Sequence, residues 1–293
     1  MRDSIRLISQ KIEVNQLELG GSRIGGTPDL PANLDWPEWE GHPLSFIAQI
    51  RMSDLARVQQ VEVIPKPNTQ QPQLFEFEAQ PVILRGMALI AENILPKSGI
   101  LYFFSFDDAH NERCDWYVNR NAWRVIYHES EDPEGLARRK PSVEAEQKEY
   151  LSAQSISFWR ETTLPPVDAY EIEPLGLTER QLEDYQHLLY DLEEAQFPSS
   201  PTHRLLGYPM QIQNNMQEEC QLLSEGHYRV TKTGSIVTVS IDIAPSSNKL
   251  AAPGWKFLLQ IENGWGGALY YWLPMAATTQ QDFSKSWLVL QYD

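Results

Sequence analysis

The sequence predicts an α+β, strand-rich fold: two duplicated halves of mainly antiparallel sheet with a few helices, packed as one globular unit. Three observations carry this expectation. Short apolar and aromatic runs of strand length recur along the chain, bounded by Gly and Pro. The stretch after Thr178 is the clearest helix, combining a helical apolar period with a start signal. Finally, three segments of the first part return in the same order in the second. A single domain over residues 1–293 is expected, with repeat halves at about 1–160 and 161–293.

Residues 4–8 are apolar but too short for their period to separate strand from helix. Residues 22–43 follow as a rigid loop holding Gly25 and Gly26, prolines 28, 31, 37 and 43, and Trp36 and Trp39. Leu44, Phe46, Ile47, Ala48 and Ile50 then form a nearly continuous apolar run, the pattern of a buried strand. Ser53, Asp54 and Leu55 predict a short helical turn, and the Gln- and Pro-rich residues 58–73 an exposed connection. Strands are expected around Leu74, Phe75 and Phe77, over 100–106, at 116–118 and at 123–127. Residues 129–148 read as a charged loop with short helical pieces and 162–174 as a proline-containing linker. Thr178, with Gln181 three residues on, has capping-box spacing, and Leu182, Tyr185, Leu189 and Leu192 form one apolar stripe of a helix stopped by Pro198.

The second half then echoes the first. HRLLGYP at 203–209 matches SRIGGTP at 22–28, KFLLQI at 256–261 matches SFIAQI at 45–50, and ALYYWL at 268–273 matches ILYFFS at 100–105. These motifs, with Trp36-Pro37 and Asp282-Phe283, resemble the YwqG-like family, also called domain of unknown function 1963. The resemblance spans nearly the whole chain. It implies a bacterial-type, intracellular, monomeric or weakly associating α+β protein, linked in some members to toxin-immunity gene neighbourhoods. It carries over no catalytic residues.

The 293 residues are 42% apolar and include 9 Trp, 12 Tyr and 10 Phe, enough to build a substantial core. A net charge of −16 argues against nucleic acid; it would steer in a basic protein partner, and it is also an ordinary solubility device, the simpler of the two readings. Two cysteines make no disulfide framework and fit a reducing compartment. Arg2, Asp3, Arg6 and Lys11 leave no apolar core for a signal peptide, and no apolar run reaches membrane-spanning length. A cytoplasmic protein that engages neither membrane nor nucleic acid is expected.

No phosphate-loop, dinucleotide, G-x-S-x-G or H-E-x-x-H pattern is present. His110 and Cys114 stand at H-x3-C spacing without further ligands, so no metal site is expected. Cys220 and the Asp107-Asp108 pair likewise lack a local catalytic setting, and no catalytic residue or cofactor is expected. Residues 161–200 hold ten acids and one base. Within them Glu183, Asp184 and Glu194 are candidates for docking a basic partner, in an immunity or regulatory role. The alternative is a small-ligand or carbohydrate site, or an enzyme, at the junction of the halves, using Arg23, Trp36, Gln49, Gln260 and Trp265. The two glutamines have a simpler reading as well: buried amides that tie a strand to neighbouring backbone.

Overall fold

Two ten-residue strands, β1 (Arg2–Lys11) and β11 (Gln154–Thr163), pair antiparallel from Arg2↔Thr163 to Lys11↔Gln154 at the centre of the computed structural model. It describes residues 1–60, 94–106, 119–141, 150–198, 201–230, 236–238, 254–264 and 266–292. Between the central strands in sequence lie β2 (Arg23–Ile24), β3 (Asp29–Pro31), β4 (Glu38–Trp39), β5 (His42–Pro43), β6 (Ser45–Arg51), β7 (Gln59–Gln60), β8 (Ile100–Ser105), β9 (Trp123–His128) and β10 (Leu136–Arg138). After β11 come helix α1 (Glu179–Gln196), β12 (Arg204–Leu205), helix α2 (Met216–Ser224), β13 (Tyr228–Val230), β14 (Ile236–Thr238), β15 (Trp255–Glu262), β16 (Gly267–Pro274) and β17 (Trp287–Tyr292).

One sheet takes most of these strands in the order β17-β16-β15-β12-β1-β11-β2-β6-β8-β9, antiparallel throughout, with β7 joining β11 in parallel. The pairing crosses over. β1 bonds on its outer edge to β12, from late in the chain, while β11 bonds to β2, from early in it. Each four-strand wing is therefore attached through a strand from the other part of the sequence, and neither part can complete its hydrogen-bond ladder alone.

The wings match residue by residue. Arg23, Gln49 and Tyr102 face one another across β2, β6 and β8, and Arg204, Gln260 and Tyr270 do so across β12, β15 and β16. Both carry a β-bulge at the same place, between Phe46 and Ala48 and between Phe257 and Leu259. The sheet curls until its wings touch. The rings of Phe103 and Tyr271 lie 5.1 Å apart and those of Trp123 and Trp287 5.0 Å apart, and Trp123 Nε1 donates to the Ser286 carbonyl at 3.1 Å. One aromatic core thus serves both wings.

Strands at 45–51, 100–105 and 123–128 lie where the apolar runs predict them, and the turn at 53–55 is a 3-10 helix. The capping box is formed: Thr178 Oγ1 accepts from Gln181 N–H, and Gln181 Oε1 accepts from Thr178 N–H at 3.0 Å. Residues 129–148, read as a loop with short helical pieces, hold a 3-10 turn at Pro133–Gly135 and also β10, which pairs with β3. The expected linker overlaps the end of β11, and the boundary at 160/161 falls inside that strand. The strand candidates at 74–77 and 116–118 lie outside the described residues. No described helix is long and apolar enough to cross a membrane.

Candidate functional site

The matching wings are each built around a buried arginine. Arg23 leaves β2 into a turn in which Gly25 and Gly26 adopt φ of 64° and 70°. Its Nη1 donates to the Thr27 carbonyl at 3.1 Å and its Nη2 to Glu18 O and to Asp29 Oδ2. Asp29 also receives the Gly20 N–H at 2.8 Å and an Arg138 Nε bond at 2.8 Å. Burial pulls the Arg23 guanidinium down to about 10, against the opposing pull of Asp29. Gln49 accepts from Asp29 N–H at 2.9 Å and donates to Gly21 O at 2.8 Å, while Tyr102 Oη donates to Asp29 O at 2.7 Å.

Arg204 repeats this turn with Leu206 at φ 59° and Gly207 at φ 75°. Its Nη1 donates to the Tyr208 carbonyl, four residues on as in the first wing, at 3.2 Å. Gln260 accepts from Met210 N–H at 2.9 Å, and Tyr270 Oη donates to Met210 O at 2.7 Å. Met210 thus occupies the place of Asp29, so the carboxylates come from elsewhere. Glu161 of β11 lies 3.1 Å from Arg204 Nε and accepts from Arg6 Nε at 3.1 Å. Glu193 of α1 accepts from Arg204 Nη2 at 2.6 Å with one oxygen and from Arg6 Nη2 with the other.

The result is a centre of two guanidiniums and two carboxylates under α1. Arg6, Glu161 and Arg204 are at most 3% exposed, while the Glu193 side chain retains 17%. Burial pulls Arg204 down, but Glu161 and Glu193 outweigh it and raise it above the usual arginine value. Burial likewise pushes Glu193 up, yet Arg204 and Arg6 hold it below the usual carboxylate range. The Phe197 ring lies 4.6 Å from the Arg6 guanidinium carbon. Beside the centre, His203 is driven down to about 4 by burial, and its Nδ1 accepts the Glu262 N–H at 3.1 Å. A cleft of about 120 Å³ opens onto Arg204 and Glu193 between α1 and the segment 209–213.

A family profile described as a domain of unknown function (DUF1963) matches residues 22–75 and 64–291. The chain belongs to the DUF1963 family. The match takes in both arginine turns of this DUF1963 chain and helix α1, and Arg6 precedes it. None of the curated proteins compared with the chain matches it.

Of the residues expected at the junction of the halves, the described ones, Arg23, Trp36, Gln49 and Gln260, are not brought together into one site. Arg23 and Gln49 lie on one side of the β1–β11 pair and Gln260 on the other, all buried and hydrogen-bonded within their own wings. Gln260 also donates to Thr202 Oγ1 at 2.8 Å. Trp36 is half-buried, its Nε1 donating to Leu44 O at 3.0 Å and its ring edge-on to Phe104. Trp265, His110, Cys114, Asp107 and Asp108 lie outside the described residues. The Gly25 and Gly26 N–H groups donate to Ile47 O and Leu151 O, so this glycine turn presents neither to a phosphate. Cys220 is fully buried, and burial pushes its thiol well up, away from thiolate chemistry. Among the described residues no group of three potential metal ligands converges.

Glu183, Asp184 and Glu194 all stand exposed on α1. Of the ten acids in residues 161–200, Glu161 and Glu193 are internal partners of arginine and Glu171 bonds Arg2 and Tyr208. Arg6, Glu161 and Glu193 are functional candidates that sequence reading did not single out. The echo of Arg23 by Arg204 was the available pointer to this centre.

Proposed function

We propose that this chain is a protein-binding module that presents the outer face of α1 to a basic segment of a partner protein. The observation that carries this is the arrangement on that face. Two adjacent rows at helical spacing, Glu183-Tyr190-Glu194 and Asp184-Leu188-Asp191, set large apolar side chains among acids. Leu188 and Tyr190 are each 51% exposed and lie in neighbouring rows of one helix face. Aromatic and aliphatic anchors ringed by charge suit a complementary segment of Lys and Arg interleaved with apolar residues. An immunity or regulatory role fits a module of this kind, and the matching wings read as copies of one ancestral unit.

The test is binding of basic amphipathic peptides, measured by fluorescence anisotropy at rising salt. Affinity is expected to fall steeply with salt, to drop at least tenfold in the triple variant Glu183→Lys, Asp184→Lys, Glu194→Lys, and to drop again in Leu188→Ala with Tyr190→Ala. Binding that ignores charge reversal and salt would overturn the proposal.

A further inference from the structure

The two arginine turns have the same backbone plan but obtain their carboxylates differently. Asp29 belongs to the Arg23 turn itself, six residues on, and cannot leave without the turn. Glu193 reaches Arg204 from a separate helix that has no fully buried residue. We propose that Arg6 and Arg204 form a binding site for a small carboxylate, and that α1 closes this site with its own Glu193 as an internal ligand.

Three features carry this. First, the Glu193 carboxylate bridges two guanidiniums, one oxygen to each, which is how an exogenous carboxylate would be held. Second, the charges balance only with Glu193 in place. Arg6, Arg204 and Glu161 alone sum to +1 in a buried setting, where a second anion is needed to avoid an uncompensated charge. Third, the cleft of about 120 Å³ already reaches Arg204 and Glu193, a size suited to an acid of a few carbons. Its wall brings amides from Gln186, Gln196 and Gln213, and also Asp168, whose two oxygens are both engaged by Gln211 Nε2 at 2.9 Å. Glu193 therefore competes with the ligand, and binding requires the last turns of α1 to lift. This site uses the inner face of α1; of the residues named for docking only Tyr190 also borders the cleft, so Leu188, Glu183, Asp184 and Glu194 keep the two readings distinguishable.

The experiment is chemical rescue. Glu193→Ala is titrated with sodium acetate and sodium succinate against equal ionic strength of sodium chloride, following thermal unfolding. Acetate or succinate is expected to raise the melting temperature of Glu193→Ala saturably by several degrees, with no comparable rise for wild type. In parallel, amide hydrogen exchange of wild-type protein in saturating carboxylate is expected to speed up several-fold in residues 190–196 and not in β1. That second arm stands if Glu193→Ala does not fold. A folded Glu193→Ala that responds to carboxylates no more than to chloride overturns the proposal. So does unchanged exchange in α1 when the variant cannot be prepared.

Discussion

The Arg23 and Arg204 turns share one backbone plan and differ in where their negative charge comes from. In each, the guanidinium donates to the carbonyl four residues on, a glutamine accepts the N–H six residues on, and a tyrosine donates to that same residue's carbonyl. In each, two successive residues have positive φ, and the second is glycine because there is no room for a side chain. A Cβ on Gly26 would stand 2.7 Å from Ala153 Cβ, and one on Gly207 2.5 Å from Thr163 Oγ1. What differs is where the negative charge comes from: within the turn at Asp29, but from β11 and α1 for Arg204. The first turn supplies the carboxylate for its own arginine, whereas the second takes its carboxylates from β11 and from a helix. Backbone geometry is thus what the two turns share, and charge compensation is where they differ.

The largest effect expected from this comparison is at Asp29. Asp29→Asn leaves Arg23 and half-buried Arg138 facing each other without their shared carboxylate, and should cost about 3–5 kcal/mol in urea unfolding. Glu193→Gln should cost less, about 1–2 kcal/mol, because Glu161 still touches both arginines and the site is partly wet. Equal losses would break the comparison. Next come the turns: Gly207→Ala and Gly26→Ala should each cost about 1–3 kcal/mol through positive φ and the close contacts.

A pH effect separates the wings further. The folded pKa of His203 is depressed to about 4, so its contribution to stability is present above about 6.5 and lost as pH falls toward 4, where the unfolded chain takes up the proton. The Glu193 pKa is also depressed, so its contribution is lost at still lower pH, as the carboxylate protonates. Unfolding measured from pH 7.5 to 4 should show a decline that His203→Gln flattens. The smallest effect is on the outer face of α1. Neutralising Glu183 and Asp184 should shift stability by no more than about 0.5 kcal/mol in thermal unfolding, and change partner binding instead.

Much of the fold was legible in the sequence because it rests on strong local signals. The capping box at Thr178, the apolar runs ending in Gln49 and preceding Tyr102, and the echo of Arg23 by Arg204 all reappear as elements or equivalent positions. The central strand β11 was not legible. Its SISFWRET run is half polar, since it is only partly covered on either side and its buried glutamate serves an ion pair. Arg6, Glu161 and Glu193 were missed for the same reason: a buried charge pair made across more than 150 residues looks, in sequence, like two surface charges. Glu193 adds a helical ambiguity, because it borders the apolar stripe and differs from exposed Glu194 only by a rotation of the helix.

The account holds that α1 is a separable cover pinned by Glu193, whereas β1 and β11 belong to the indivisible centre. Amide hydrogen exchange of the wild-type protein and Glu193→Gln, read segment by segment, tests this most directly. The account predicts that α1 exchanges through a local opening at least tenfold faster than β1 and β11, and that Glu193→Gln speeds α1 further while leaving that opening confined to the helix. Exchange of α1 at the same rate as the central strands, unaltered by Glu193→Gln, would contradict it.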